Sequence, residues 1–166
     1  MFKNIKPEDL RENAFEAIGK KWMLITPSNS DGIINPMTAS WGGFGVMWNK
    51  NVAYIVIRPT RYTYELIEKT RNFTLTFFEE EYRKTLSLCG SKSGRDIDKV
   101  KESGLNPIIE DNFVYYNECS LAIFSKKLYF TDFNPNNFLD AELDKLYPKK
   151  DYHRLYIGEI VKIKSL

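Results

Sequence analysis

Only two cysteines, Cys89 and Cys119, and a single histidine, His153, occur among the 166 residues. They form no CxxC pair and no Cys/His cluster, so the sequence offers no metal site and no paired thiol nucleophile. Free, buried thiols in a cytoplasmic protein are the expectation. No apolar run approaches membrane-spanning length, which argues against a membrane role. Met1–Phe15 carries charge throughout and lacks the apolar stretch of a secretory signal, again in keeping with the cytoplasm. The 24 basic residues exceed the 22 acidic ones by only two, and both signs are spread along the chain. That balance argues against a nucleic-acid partner. There is no GxxxxGK[ST] phosphate loop, no nucleophile elbow and no Ser/His/Asp order. Internal repeats and low-complexity linkers are also missing, so residues 1–166 are expected to form one domain.

What the chain does have is a globular balance of 43% apolar and 28% charged residues, with an aromatic content of 14%. The aromatics suit a β-rich core, a surface that stacks flat ligands, or both. The polar segment before Gly19 predicts a short amphipathic helix. Trp22–Thr26 reads as a strand closed by Pro27 and the turn-rich Ser28–Gly32. Ile33–Val46 is irregular, and its Gly42-Gly43 pair suggests a bulge or a close approach. Val52–Ile57 is apolar at nearly every position, as in a strand covered on both faces. Tyr62, Leu66 and Ile67 share a helical face within Thr60–Thr70, with Thr60 or Thr63 as the cap. Asn72–Phe78 alternates, with Phe73, Leu75 and Phe77 together. Two short helices are expected at Glu80–Cys89 and Asp96–Ser103, the second stopped by Gly104. Phe113–Tyr116, Glu118–Phe124, Lys127–Phe133 and Arg154–Lys164 read as strands; in the last, Leu155, Ile157, Val161 and Ile163 are placed on one face. About seven strands without βαβ alternation favour a Greek-key or barrel fold.

Three stretches have the chemistry to hold a flat, phosphorylated, hydrogen-bonding ligand. In Asn35–Trp41, small residues allow a ring system close to backbone amides; an ordinary bulged barrel strand would have the same composition. Arg58–Tyr64 joins a strand to a helix start, where unpaired N–H groups, two arginines and two threonines suit an anion. Solvated arginines at a capped helix would look the same. Cys89–Lys99 supplies two glycines, two serines and three basic residues, fit either to close over a phosphate or to remain a surface loop. His153, just before the last strand, reads most simply as a solvent-facing strand-end residue.

Taken in order, Asn35-Pro36-Met37-Thr38-Ala39-Ser40-Trp41, Arg61-Tyr62-Thr63-Tyr64-Glu65-Leu66-Ile67, Ser93-Gly94-Arg95-Asp96-Ile97-Asp98-Lys99, Gly104-Leu105 and Tyr156-Ile157-Gly158-Glu159-Ile160 resemble the flavin reductase-like, FMN-binding split-barrel family, especially its flavoredoxin branch. The resemblance spans roughly residues 15–124 and 152–163. It implies a mainly β, Greek-key split β-barrel with short helices, six strands to the barrel. The chain would pair as a homodimer with noncovalent FMN near the interface. The strand ending in Met37, Thr38, Ala39, Ser40 and Trp41 would offer its backbone to the isoalloxazine ring. Asn35, Trp41, Thr63, Lys99 and His153 would surround the cofactor, and Arg58, Arg61 and Thr63 would hold its phosphate. Tyr62, Ser93 and Gly94 complete the implied cofactor set. Lys99 would stabilise negative charge on the reduced ring, and no side chain need act as nucleophile or general acid. The implied activity is an NADH- or NADPH-dependent flavin reductase. A flavoredoxin-like carrier reduced by a partner protein and a non-catalytic FMN-binding module are the alternatives. Residues 125–151 form a long insertion where many members have a short hairpin.

Overall fold

The computed structural model describes residues 1–28 and 32–166; most of the turn expected at Ser28–Gly32 lies outside the described residues. Among the described residues there are ten strands: β1 (Lys3–Ile5), β2 (Met23–Pro27), β3 (Met37–Ala39), β4 (Gly42–Met47), β5 (Lys50–Ile57), β6 (Asn72–Phe77), β7 (Pro107–Glu110), β8 (Phe113–Tyr116), β9 (Leu121–Asp132) and β10 (Arg154–Ser165). Three short helices interrupt them: α1 (Tyr62–Glu68), α2 (Arg83–Ser91) and α3 (Lys99–Ser103). The main sheet runs β3-β2-β6-β9-β10-β5-β4, with β1 added to β10, and β7–β8 is a separate hairpin. All pairings are antiparallel.

Curvature follows from the strand order. β3 and β4 stand at opposite ends of the sheet, yet only Ser40 and Trp41 separate them in sequence. The sheet must therefore curl until its two ends meet. They meet without hydrogen-bonding to each other, which leaves a barrel split along one seam and β3 an edge strand.

The period-2 pattern fills both faces of the central strands. Phe73, Leu75 and Phe77 point into the barrel with Met23, Ile25, Ile55 and Tyr156, as their alternation predicts. Leu24, Ala122 and Phe124 point the other way and are covered by α2 and the β7–β8 hairpin through Leu86, Phe113 and Tyr115. Both cysteines, free and buried, belong to this second core.

Several expectations are corrected. Trp22 lies outside the strand expected at Trp22–Thr26, at φ +72°; the short helix expected before Gly19 is a single π-helical turn at Phe15–Lys20, and β1 lies ahead of it. Neither Thr60 nor Thr63 caps α1; Arg61 occupies that position without a side-chain cap bond. The second expected pair of strands is one twelve-residue strand, β9. In β10, Val161 is an unpaired extra residue opposite β9, and this bulge switches faces: Tyr156, Ile160 and Ile163 are buried together while Val161 points to solvent. β5 is covered fully on its inner face and only in part on its outer one, where Val52 is buried but Tyr54 is 42% exposed. Gly104, left-handed at φ +72°, ends α3 as expected, and Asp98 caps its start by accepting from the Lys101 N–H at 3.1 Å.

Candidate flavin site at the open seam

The free edge of β3 borders the open seam, because β2 occupies only its other edge. Three loops converge there. The turn after β5 carries Arg58 and Arg61, the end of α2 carries Gly90 and Ser91, and the segment before β10 carries His153.

Short side-chain-to-backbone bonds lock these pieces together. The Thr38 hydroxyl donates to the Leu86 carbonyl, and Arg61 Nη2 donates to the Gly90 carbonyl at 2.8 Å. The Lys99 ammonium is buried and donates to the carbonyls of Pro36 at 3.0 Å and Cys89 at 2.8 Å. It thereby ties the approach to β3 to the end of α2. Buried Asn35 donates from Nδ2 to the Thr63 hydroxyl at 2.9 Å, joining the same approach to α1. Gly94 makes room for that amide, since a Cβ there would stand 1.8 Å from Asn35 Oδ1.

A cavity of about 230 Å³ lies along the β3 edge, lined by Met37, Thr38, Ala39, Ser40, Trp41, Val56, Arg58, Arg61, Gly90 and His153. A second, more polar cavity of about 270 Å³ is lined by Thr60–Thr63, Ser91–Arg95 and Lys99. Arg61 borders both, so the two form adjoining halves of an elongated site. The first half offers strand backbone and the Trp41 indole; the second offers Arg61, Lys92, Arg95 and two serine hydroxyls.

Burial sets the electrostatics. It lowers the Arg61 pKa below the usual arginine value. It pulls Lys99 down to about 8, with the Arg61 charge adding to the effect. His153 is brought down to about 4, first by burial and then by Arg58, against the opposing pull of Asp151. Among the described residues no group of three or more His, Cys, Asp or Glu side chains could hold a metal ion. No helix among them is long and apolar enough to cross a membrane.

The structure gathers the sequence-predicted residues in one place but gives them different positions. Met37–Trp41, Arg58, Arg61 and His153 line the ring-sized half; Tyr62, Thr63, Ser93, Gly94 and Lys99 line the polar half. Asn35 and Lys99 brace the site from beneath, Asn35 through its Nδ2 bond to Thr63 and Lys99 through its bonds to the Pro36 and Cys89 carbonyls. Arg58 faces the cavity, but its guanidinium is held by Asp151 at 2.8 Å and the Leu146 carbonyl at 2.9 Å. His153 is not solvent-facing: it is 8% exposed, with its ring 5.1 Å from that of Trp41. Gly90, Ser91 and Lys92 belong to the Cys89–Lys99 stretch that the sequence marks as a candidate phosphate loop, although the family resemblance does not place them around the cofactor. Nothing in the local pattern of Val56 or Tyr147 marks either as part of a site.

An open antiparallel barrel whose seam holds a backbone edge, an indole and a cation-lined pocket is a split-barrel fold with a cavity along its seam. Residues 17–165 match the model of the flavin reductase like domain, and the chain belongs to that family. Among solved structures it is similar to the flavoredoxin of Desulfovibrio vulgaris (Miyazaki F), with TM-score 0.68 and 22% identity over 87% of this chain and 69% of that one. It is similar also to the flavoredoxin of Methanosarcina acetivorans, with TM-score 0.69 and 20% identity over 88% and 68%. An FMN-binding domain of a flavin reductases-like enzyme from Shewanella baltica aligns with TM-score 0.71 and 17% identity over 99% and 77%. No functionally curated protein matches the chain in sequence.

Proposed function

We propose that this chain binds FMN noncovalently at the open seam and is an FMN-dependent oxidoreductase reduced by NADH or NADPH. The observation that carries the reading is the free backbone edge of β3 along a cavity that continues past Arg61 into a cation-lined pocket. A strand edge presents alternating N–H donors and C=O acceptors, the complement of the alternating groups on the rim of an isoalloxazine. Arg61, Lys92 and the hydroxyls of Ser91 and Ser93 suit the phosphate. When bound, FMN supplies the hydride and electron transfer. The chain's own part is to orient the ring against β3, to hold the phosphate, and to exclude water through Trp41 and the segment before His153. Lys99 contributes by fixing the backbone of Pro36 and Cys89 and by placing positive charge beneath the site.

The site's position also favours a homodimer. Val56 lines the cavity and lies on the same outward face of β5 as exposed Tyr54, so a second copy seated on that face would border the cofactor. A flavoredoxin-like carrier reduced by a partner protein is the second reading, favoured by the likeness to two flavoredoxin structures.

The test is an absorbance spectrum of the purified protein, before and after FMN addition and desalting, followed by anaerobic mixing with NADH and NADPH. Retained FMN bleached by either nicotinamide is the expected result. Retained FMN that neither nicotinamide reduces would favour the carrier, and failure to bind FMN even in titration would remove the proposal.

A further inference from the structure

The only histidine in the sequence makes one hydrogen bond through its ring: Nδ1 lies 2.7 Å from the Tyr147 hydroxyl. Both residues are buried, at 8% and 2% exposure. Tyr147 comes from the inserted segment and is held on several sides. Phe138 stacks on it at 6.0 Å and 15°, Tyr152 packs at 4.9 Å, and the Arg58 guanidinium lies 4.7 Å above its ring. Its hydroxyl bonds to no other group among the described residues.

Chemistry decides the direction of this bond. A phenol O–H is a far more acidic donor than the N–H of a neutral imidazole, and the second ring nitrogen of a neutral histidine is a strong acceptor. The favourable arrangement has Tyr147 donating to Nδ1, which leaves the ring proton on Nε2. That nitrogen has no partner among the described residues, yet it is not among the sealed, unpartnered atoms of the interior. Since His153 lines the cavity beside Trp41, the open edge of its ring gives onto the cavity. Charge does not oppose the neutral form. Asp151, the nearby carboxylate, is matched by Arg58, and burial together with Arg58 keeps His153 from protonating until about pH 4.

We propose that Tyr147 is a positioning residue that fixes His153 as a neutral Nε2–H imidazole, giving the cavity an uncharged N–H donor for an acceptor atom on the rim of a planar ligand. Only the identity of that acceptor, a carbonyl oxygen or ring nitrogen of the flavin or of a second aromatic substrate, rests on the FMN reading above.

A two-bond proton–nitrogen correlation spectrum of the ¹⁵N-labelled, ligand-free protein tests the proposal directly, because a single histidine gives a single set of ring signals. At neutral pH the wild type is expected to show the pure Nε2–H pattern. Tyr147→Phe, which keeps the aromatic packing, is expected to show a tautomer mixture, while burial and Arg58 still hold the histidine pKa low. A wild-type ring protonated on Nδ1 overturns the proposal whether or not Tyr147→Phe folds, as does a Tyr147→Phe ring identical to the wild type. FMN titration then addresses the ligand separately. His153→Gln, whose amide nitrogen can replace Nε2–H, should bind within about threefold of wild type, while His153→Ala should lose about tenfold. Equal losses in both variants would show that the donor is not used on FMN, while leaving the tautomer result to stand or fall by the spectrum.

Discussion

Lys99 is an uncommon residue, a lysine at 3% exposure that bonds to no carboxylate among the described residues. Its ammonium is satisfied by two carbonyls, but dipoles of that kind only partly replace the water it has lost, and Arg61 adds repulsion. Two opposing effects therefore meet at one atom. Lys99→Met would strand the Pro36 and Cys89 carbonyls, each costing about 1–3 kcal/mol when buried and unpaired, while relieving the desolvated charge. We expect a net loss of about 1–3 kcal/mol at neutral pH. The pH dependence separates the two effects. Because the folded-state pKa of about 8 lies below the ordinary 10.5, the unfolded chain binds the proton more tightly between those values. Stability from this residue must then rise with pH across that window, and a neutral amine still has the two N–H groups both carbonyls need. Denaturant unfolding of wild type and Lys99→Met at steps from neutral pH to about 10.5 should show the difference between them growing by about 1–3 kcal/mol. A difference that stays level would mean the ammonium is not penalised by burial.

At the scale of elements, the segment from Phe133 to His153 is short of regular structure, with only 3-10 turns at Pro135–Asn137 and Leu143–Leu146. It is nonetheless tied at each stage. The Phe133 N–H donates to the His153 carbonyl at 2.9 Å and closes its base. Tyr152 and Lys150 both bond Asp144, and Arg58 reaches from the end of β5 to Asp151 and the Leu146 carbonyl. Among the described residues Arg58 is the one side chain that hydrogen-bonds this segment to the turn that also carries Arg61, so Asp151→Ala should loosen the segment without unfolding the barrel. Breaking a mostly buried charge pair costs on the order of 1–3 kcal/mol, so amide exchange in residues 134–150 should accelerate about tenfold or more, with β9 and β10 unchanged. Uniform acceleration, or none, would show that the segment is held by other means. This element was also the least legible in the sequence. Phe73, Leu75 and Phe77 announce β6 because a covered strand repeats every two residues. The Ser125-Lys126 interruption hides the continuity of β9, which runs on past the edge of the core into solvent. Val161 misleads because a bulge is a matter of pairing, and no pattern within one strand reveals its partner's register. The contact of Tyr147 with His153 has no period at all; it arises from an irregular path that only the folded chain displays. The β3 edge, the arginine turn and the Gly94 loop were readable because each is a compact local cluster of small, basic and hydroxyl residues.

The whole molecule leaves one face unfinished. Outward from β4, β5 and β9 stand Met47, Tyr54 and Tyr129, each between 42% and 48% exposed, and Trp48 sits 6.0 Å from Tyr129 at the neighbouring turn. Tyr54 and Tyr129 both pair across Ile157 of β10, so they flank a single apolar row. Four large side chains grouped in this way are more apolar surface than a scatter of single exposed residues, and a sheet face of this kind is suited to self-association. On the proposed reading a second copy covers the row and borders the cavity through Val56, which makes cofactor affinity depend on assembly. Sedimentation at micromolar concentration should therefore find a dimer, with an interface on the scale of about 1,600 Å². Placing charge at both tyrosines, as Tyr54→Arg with Tyr129→Arg, should give a folded monomer whose FMN affinity is lower by about tenfold or more, since a cofactor lodged at a subunit boundary loses part of its wall. A wild-type monomer under these conditions would remove the dimer from the proposal. A monomeric variant that binds FMN as tightly as the parent would keep the dimer but place the whole site within one chain, and β3, Trp41 and the arginine turn would then have to hold the flavin alone.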